Sequence, residues 1–583
     1  MPAIVLIILF PLVVSLLLLF FPRGKGQLKG RLTLAVSLLL MPGAIKVFLD
    51  APSSWQVIFP SNYPQLLHTF SNFLVFNADG AGSLMVLLLG IMLPILITGA
   101  IAIEKKQASD NHYFSWVMVS AGLCFAILTA GHLYMLIFLW GLLGIPLYLL
   151  ASGYDESRAS LGKKTLVLFG GAHGLMTTGA VIAVALSGTG YLAEIELTTT
   201  TTINKLAFLA LLSGGLAVAG IFPFQSWVID FGEFAPGKIS ALMPVIILRF
   251  AGVYLLIRLI HDLFILSESM RIVLFSLASI TIILGILMSF NGSHAAKRLA
   301  YVHVATGGLA LLAVSTGTLA GLKAAIVYVL APGAAIAAMF LVLERNSLQN
   351  NSVSQKLLSK TNITNKSFFS STSFLLVSLA GLPPFGMFAA NSLLFKGLWE
   401  FTNGSSLTHM LSILWVVIAI AAVGGLFAVV LLIRPYMLAS ANEREIKLTS
   451  GNLSFKISML FFALVAVLSG LFLFGLPVDR ISGNFTAKAS LVWESKYVLL
   501  VAVCMLLSLI LGVGAFRLLQ KNGSRFFKIP YLLEKSNFTD IYFVFSKLVF
   551  SINRPLSRMH DGVLQTYLVW ITAALIILFL LNI

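Results

Sequence analysis

Apolar runs of about 20 residues, the length that crosses a bilayer, recur along the whole chain and are separated by short polar or Gly/Pro-containing stretches. The pattern predicts spans at about 3–21, 32–49, a third opening at Asn77-Ala78-Asp79-Gly80, then 114–131, 133–151 and 164–187. A seventh runs in from about 204 and an eighth from about Ser240; spans at 271–290, 299–316 and 321–343 follow. After the polar stretch 344–368 come a twelfth span, then 409–434, 456–476, 497–519 and a last one from near Leu564. Asp79 has the position and chemistry of an N-cap. The tract Thr198–Thr202 is low-complexity loop, and 538–553 is amphipathic, with Ile541, Phe545, Leu548 and Ile552 on one face.

Two spans are interrupted. The seventh meets Gly220-Ile221-Phe222-Pro223-Phe224, and the twelfth carries Gly381, Pro383, Pro384 and Gly386. Proline has no N–H and its ring clashes with the preceding turn, so both helices must break. The eighth holds Pro244 and Arg249 within its apolar run. Broken helices and intramembrane charge persist only where protein or water lines them, and they point to an ion or substrate path. The breaks lie about 160 residues apart, as two inverted five-helix repeats would place them.

Composition closes off the other classes. Of 583 residues 59% are apolar and 10% charged, with mean hydropathy +0.99, so a soluble surface is excluded. The net charge of +17 gathers in alternate loops, as membrane topology requires, and gives no reason to expect nucleic acid. Arg23, Lys25, Lys29 and Arg31 read as such a loop; with no basic stretch before the first apolar run, that run reads as a retained helix with its N-terminus outside. Cys124 and Cys504 sit in apolar runs with no metal or disulfide spacing. No nucleotide, metal or iron–sulfur motif occurs, so no cofactor and no catalytic redox centre is expected on this chain.

The segment FPFQSW…AP…SALMP…FAGVYLLIR (222–258) resembles the FPFHxWLPDA…SALLH…KAGVYLLIR signature of antiporter-like membrane subunits. Those occur in respiratory complex I (NADH-quinone oxidoreductase), membrane-bound hydrogenases and multisubunit sodium/proton antiporters. KRLAYVHVATGG (297–308) and the GLPPF segment are similar to further family motifs, over about residues 75–435, and the C-terminal end resembles a shortened lateral helix. The resemblance implies an all-α polytopic membrane bundle of about 16 transmembrane helices, with two inverted five-helix repeats and discontinuous helices 7 and 12. The expected parts are 1–112, a first repeat 113–262, a second 263–435, and C-terminal helices 436–583 with a short amphipathic lateral piece.

It also implies a proton path through a Glu on helix 5, Lys on helices 7 and 8, and a Lys or Glu on helix 12. By this alignment those positions hold Gly141, Val218, Phe250 and Asn391, and the helix 8 His falls on Pro244. The remaining ion-path candidates are Arg249, His303, His173 and Lys396. Arg249 reads as an anion or carboxylate partner or as a structural cap on free carbonyls, the histidines as titrating groups or satisfied core residues, and Lys396 as a displaced pump lysine or a snorkelling one. Arg258 reads as an interfacial anchor. The implied function is a membrane subunit coupling electron transfer to proton or sodium translocation in a prokaryotic inner membrane, beside other membrane subunits, degenerate at the usual pump positions. A stand-alone secondary transporter and a non-pumping structural subunit are the alternatives.

Overall fold

The structure is a computed structural model. It describes residues 2–22, 25–57, 71–104, 112–153, 158–291, 295–349, 371–404, 409–439, 450–475 and 495–526, with 532, 540–544, 546–547 and 551 beyond them. Its helices are α1 (Ala3–Phe20), α2 (Gly26–Leu49), α3 (Gly80–Ile103), α4 (Tyr113–Leu128), α5 (Leu133–Ser152), α6 (Ala159–Ser187), α7 (Thr202–Ala219) and α8 (Ser226–Phe234). A continuous helical segment, α9 (Gly237–Leu263), follows, then α10 (Glu268–Asn291), α11 (Ala295–Ser315), α12 (Leu319–Gln349), α13 (Ser371–Leu379) and α14 (Gly386–Gly404). The series ends with α15 (His409–Ala439), α16 (Ser450–Gly475) and α17 (Ser495–Phe526). Twelve helices among the described residues are long and apolar enough to cross a membrane, and α4 and part of α16 form shorter apolar helices. The polar stretch 350–368 and the span expected from Leu564 lie outside the described residues. Two small strand pairs join loops: β1 (Ser53–Gln56) with β2 (Val75–Ala78), and β3 (Leu197–Thr198) with β4 (Phe264–Ile265).

Long-range contacts sort the helix ends onto two faces. Glu104 after α3, Lys238 in the first turn of α9 and Glu344 near the end of α12 meet on one face. Lys164 near the start of α6 and Lys297 at the start of α11 are paired there with α8. On the opposite face Asp79, before α3, pairs with Arg258 near the end of α9, and β3 meets β4. The expected cap also forms, Asp79 accepting from the Gly82 N–H at 2.8 Å. α4 starts on the basic face, its Tyr113 hydroxyl donating to the Lys238 carbonyl at 3.2 Å. α10 starts on the opposite face, just after β4. The runs α4–α9 and α10–α15 therefore cross in opposite senses.

Both expected breaks are present, and they are built alike. α7 ends at Gly220 (φ +65°) and α13 is followed by Gly381 (φ +73°), left-handed values that only glycine adopts without cost. Gly220-Ile221-Phe222-Pro223-Phe224 and Gly381-Leu382-Pro383-Pro384-Phe385 share glycine, proline and phenylalanine in register, each with a cis peptide before the shared proline. In α9, Pro244 supplies no N–H, and Ala241–Ile247 widens into a π-helix.

Three sequence expectations change. α2 begins at Gly26, so Lys29 is a buried helical residue and not part of a loop. α9 begins at Gly237, before Ser240, because Glu344 caps the Lys238 N–H at 2.5 Å. The span expected from 164 starts earlier, α6 opening at Ala159.

Candidate functional site

Arg249 lies in α9 close to the π-helical turn, 1% exposed. Its Nη2 donates to the carbonyl of His303 on α11, which also accepts from Thr306 Oγ1 at 2.9 Å. A Cβ at position 307 would stand 2.2 Å from Arg249 Nη1, so Gly307 is the notch that admits the guanidinium. The His303 ring is hydrogen-bonded to the backbone of Pro244. Arg249, His303 and Pro244 are thus one packed unit joining α9 to α11.

Gly141, Val218 and Phe250, the positions aligned above with titrating groups, lie in packed surroundings. At Gly141 on α5 a Cβ would lie 2.6 Å from His173 Nε2, so the imidazole from α6 occupies the space a side chain there would take. That ring stacks on Trp140 (centroids 5.6 Å, 8°), and its Nε2–H reaches the Ile137 carbonyl at 3.3 Å. His173 is half-buried and lines a cavity of about 430 Å³ between α5 and α6 with Phe138, Ile145 and Leu166, which are exposed. It is therefore not the enclosed core histidine of the simpler sequence reading. Aromatic contacts continue from Trp140 to Phe169 and on to Trp227 of α8. Val218 and Phe250 are buried among apolar neighbours.

At the first break two backbone groups find side-chain partners, while Ser226 Oγ stays buried without one. The Trp227 indole donates to the Ala217 carbonyl at 2.9 Å, and the Phe222 N–H donates to Thr281 Oγ1 at 3.2 Å. The second break keeps polar atoms in play. Asn391 is fully buried and accepts from the Tyr328 hydroxyl of α12 at 2.8 Å. Its Nδ2 has no partner and faces Gly381, whose Cβ would lie 2.5 Å away.

Further along α14, Lys396 is 4% exposed, with Nζ 3.7 Å from Glu400. Lys323 on the facing helix α12 is 1% exposed. The helices meet closely here, since a Cβ on Gly397 would stand 2.9 Å from the Gly321 amide nitrogen. Lys396 is thus enclosed, not snorkelling. Lys323 went unnoticed in the sequence because it falls in the first turn of its span, where a lysine reads as an end residue.

Two further groups frame the bundle. Lys164 is bound by Asp230 of α8 at 2.7 Å and by Asp540 of the C-terminal segment at 2.6 Å. Ile541 and Tyr542 pack against the core beside it, so the amphipathic stretch lies across the bundle where it is described; Phe545, Leu548 and Ile552 lie outside the described residues. Arg258 is buried between Asp79, Asp262 (2.7 Å) and the Tyr254 hydroxyl (2.9 Å), a paired internal residue and not an interfacial anchor.

A family model described as NADH:quinone oxidoreductase/Mrp antiporter, TM, matches residues 130–418. The chain belongs to the antiporter-like membrane subunit family. It is 27% identical to an NAD(P)H-quinone oxidoreductase chain 4 of Trichodesmium erythraeum over 351 residues, 58% of this chain and 61% of that one. The match thus spans about three fifths of that relative's length. Among solved structures, the Mrp complex from Dietzia sp. DQ12-45-1b is similar with a TM-score of 0.79 at 15% identity, covering 100% of this chain and 62% of that one. A chain of respiratory complex I from Thermus thermophilus is similar with a TM-score of 0.65 at 17% identity, covering 87% of this chain and 100% of that one. At these identities the structural likeness is one of fold. The antiporter-like subunit is an integral, multi-pass membrane protein, and its structural neighbours are parts of multisubunit membrane complexes.

Proposed function

We propose that this chain is a membrane subunit of a complex I-related or hydrogenase-type assembly in a prokaryotic inner membrane, moving protons or sodium through its second half. On this reading 113–262 and 263–435 are inverted repeats of unequal chemistry. The first has lost its titrating positions at Gly141, Val218 and Phe250 and is held by Arg249 and packed aromatics. The second retains ionisable groups, displaced from the usual position at Asn391 to Lys396, Lys323 and Glu400.

The observation that carries this is a pair of buried lysines, Lys323 and Lys396, the latter 3.7 Å from the partly exposed Glu400, on the two helices α12 and α14 of which α14 follows a break. Lys396 lies five residues beyond Asn391, about 7.5 Å along the helix. On this reading water fills the gap between Asn391 or Tyr328 and the lysines. The loss of the family positions favours a second reading, a non-pumping spacer.

Ion flux in proteoliposomes holding the whole assembly separates them. Lys396→Ala and Lys323→Ala should each lower proton or sodium flux at least tenfold, with Arg249→Ala and His303→Ala having smaller effects on flux in properly assembled complex. Unchanged flux in both lysine variants would remove the proposed path and leave the spacer.

A further inference from the structure

We infer that the first half of the bundle holds a bound monovalent anion of halide size at Arg249. This site is separate from the lysine cluster of α12 and α14, and its success or failure leaves that reading untouched.

The argument starts from charge. Arg249 is 1% exposed and lies near the middle of α9. Four other buried or largely buried cations described above have carboxylates close by: Lys164, Lys238, Arg258 and Lys396. No carboxylate among the described residues pairs with Arg249. A guanidinium in a medium of low polarity without a counter-charge is strongly disfavoured, and hydrogen bonds to neutral carbonyls offset only part of that cost.

Geometry supplies the second observation. One arm of the guanidinium is occupied, Nη2 donating to the His303 carbonyl. The other arm, Nη1, is buried with no hydrogen-bond partner. Nε2 of His303 is in the same condition, while its ring is already bonded to the Pro244 backbone. Two unsatisfied polar atoms thus come from residues that already touch one another. The notch at Gly307 is filled by the guanidinium itself, whereas a Cβ on Gly333 of α12 would meet only the Val245 carbonyl, at 3.7 Å, so the loosely packed side of this part of α9 is the one toward Gly333.

The chemistry of the ligand follows. Nη1 is only a donor, so it requires an acceptor. One cation calls for one negative charge, and the close helix packing admits a small ion. An accompanying water can donate both to the anion and to His303 Nε2. In this arrangement the anion neutralises Arg249 in place and fixes α9 to α11 across the π-helical turn.

Bromide is the probe. Crystals of the intact assembly grown or soaked in bromide, measured near the bromine absorption edge, should show an anomalous peak within hydrogen-bonding reach of Arg249 Nη1. This measurement uses the wild-type protein and does not depend on any variant folding. In parallel, replacing gluconate with chloride or bromide at constant ionic strength should raise the wild-type melting temperature by about 2–4 °C, and Arg249→Met should abolish that shift. No anomalous peak at Arg249, or density there that is unchanged between bromide and gluconate and therefore water, would overturn the proposal. So would a halide shift of equal size in wild type and Arg249→Met.

Discussion

Lys164 offers the most direct test of how the C-terminal segment is held. Its ammonium is shared by Asp230 at 2.7 Å and Asp540 at 2.6 Å, with the three side chains 11%, 24% and 22% exposed. Lys164→Met keeps much of the aliphatic volume and removes the charge. At an effective dielectric constant of about 20, a single pair at this distance is worth about 6 kcal/mol before desolvation is counted. Removing one partner from fully buried pairs costs about 3–5 kcal/mol, and exposed pairs are worth about 1 kcal/mol or less. For groups up to a quarter exposed we expect about 2–3 kcal/mol, since the variant also leaves two carboxylates facing each other. Only part of the hold on the segment is electrostatic, because Ile541 and Tyr542 remain packed on the core.

The readout is hydrogen exchange at residues 540–544 in the intact assembly. A loss of about 2–3 kcal/mol predicts exchange faster by roughly 30- to 150-fold. Residues 75–78, in β2 on the opposite face, should be unchanged. Adding Asp540→Asn to Lys164→Met should slow exchange relative to the single variant, because it removes the repulsion. If residues 540–544 exchange within threefold of wild type in Lys164→Met, the ion pair does not hold the segment and the reasoning fails.

Other perturbations follow from the same geometry. Gly220→Ala and Gly381→Ala each force a left-handed residue, at about 1–2 kcal/mol, and place a Cβ 2.3 Å from Val228 and 2.5 Å from Asn391 Nδ2 respectively. Both should lower the melting temperature, and only Gly381→Ala should also reduce ion flux. Trp227→Phe keeps the aromatic contacts but removes the indole donor, leaving the Ala217 carbonyl only the Gly220 N–H at 3.3 Å, a loss of about 0.5–1.5 kcal/mol readable by thermal unfolding. His132, in the loop before α5, is held below its ordinary pKa by burial and accepts from the Tyr134 N–H at 3.2 Å. Its folded-state value lies below the unfolded value of about 6.5, so its contribution is fully present above that pH and is lost as pH falls below it. Wild type should therefore lose more stability than His132→Gln between about pH 7 and pH 5.

Much of the fold was legible because bilayer spans announce themselves by length and breaks by proline. Pro223 and Pro384 fixed where α7 and α13 stop, and Asp79 marked the start of α3 by its capping chemistry. The site was less legible, for a physical reason. A lysine in a span's first turn and a lysine in a buried cluster have the same local sequence; what differs is the opposing helix. Lys323 became significant only when Gly321 and Gly397 brought α12 against α14. His173 likewise gained a role from Gly141, thirty-two positions earlier, whose missing side chain it replaces. The pairing of Arg258 with Asp79 joins residues too distant in sequence for any local pattern to connect.

The two breaks share a five-residue frame, so backbone alone cannot assign them different roles. Their neighbours do. At the first, Trp227 and Thr281 close the open backbone groups, and aromatic rings extend from Trp140 to Phe231. Such a site has these two backbone groups bonded and is lined by aromatic rings, leaving Ser226 Oγ as its buried unbonded hydroxyl, and offers a passing ion few charged partners. At the second, Asn391 keeps an open Nδ2 toward Gly381, Tyr328 is engaged with the same side chain, and Lys396 follows on the same helix. An incomplete polar network at mid-membrane is costly unless water or an ion completes it. On the proposed reading, the break beside charged neighbours is the one that carries ions. Exchanging the surroundings should move the function: Asn391→Leu, which removes the open amide, should suppress flux while leaving both helix breaks intact, and undiminished flux in that variant would refute the assignment.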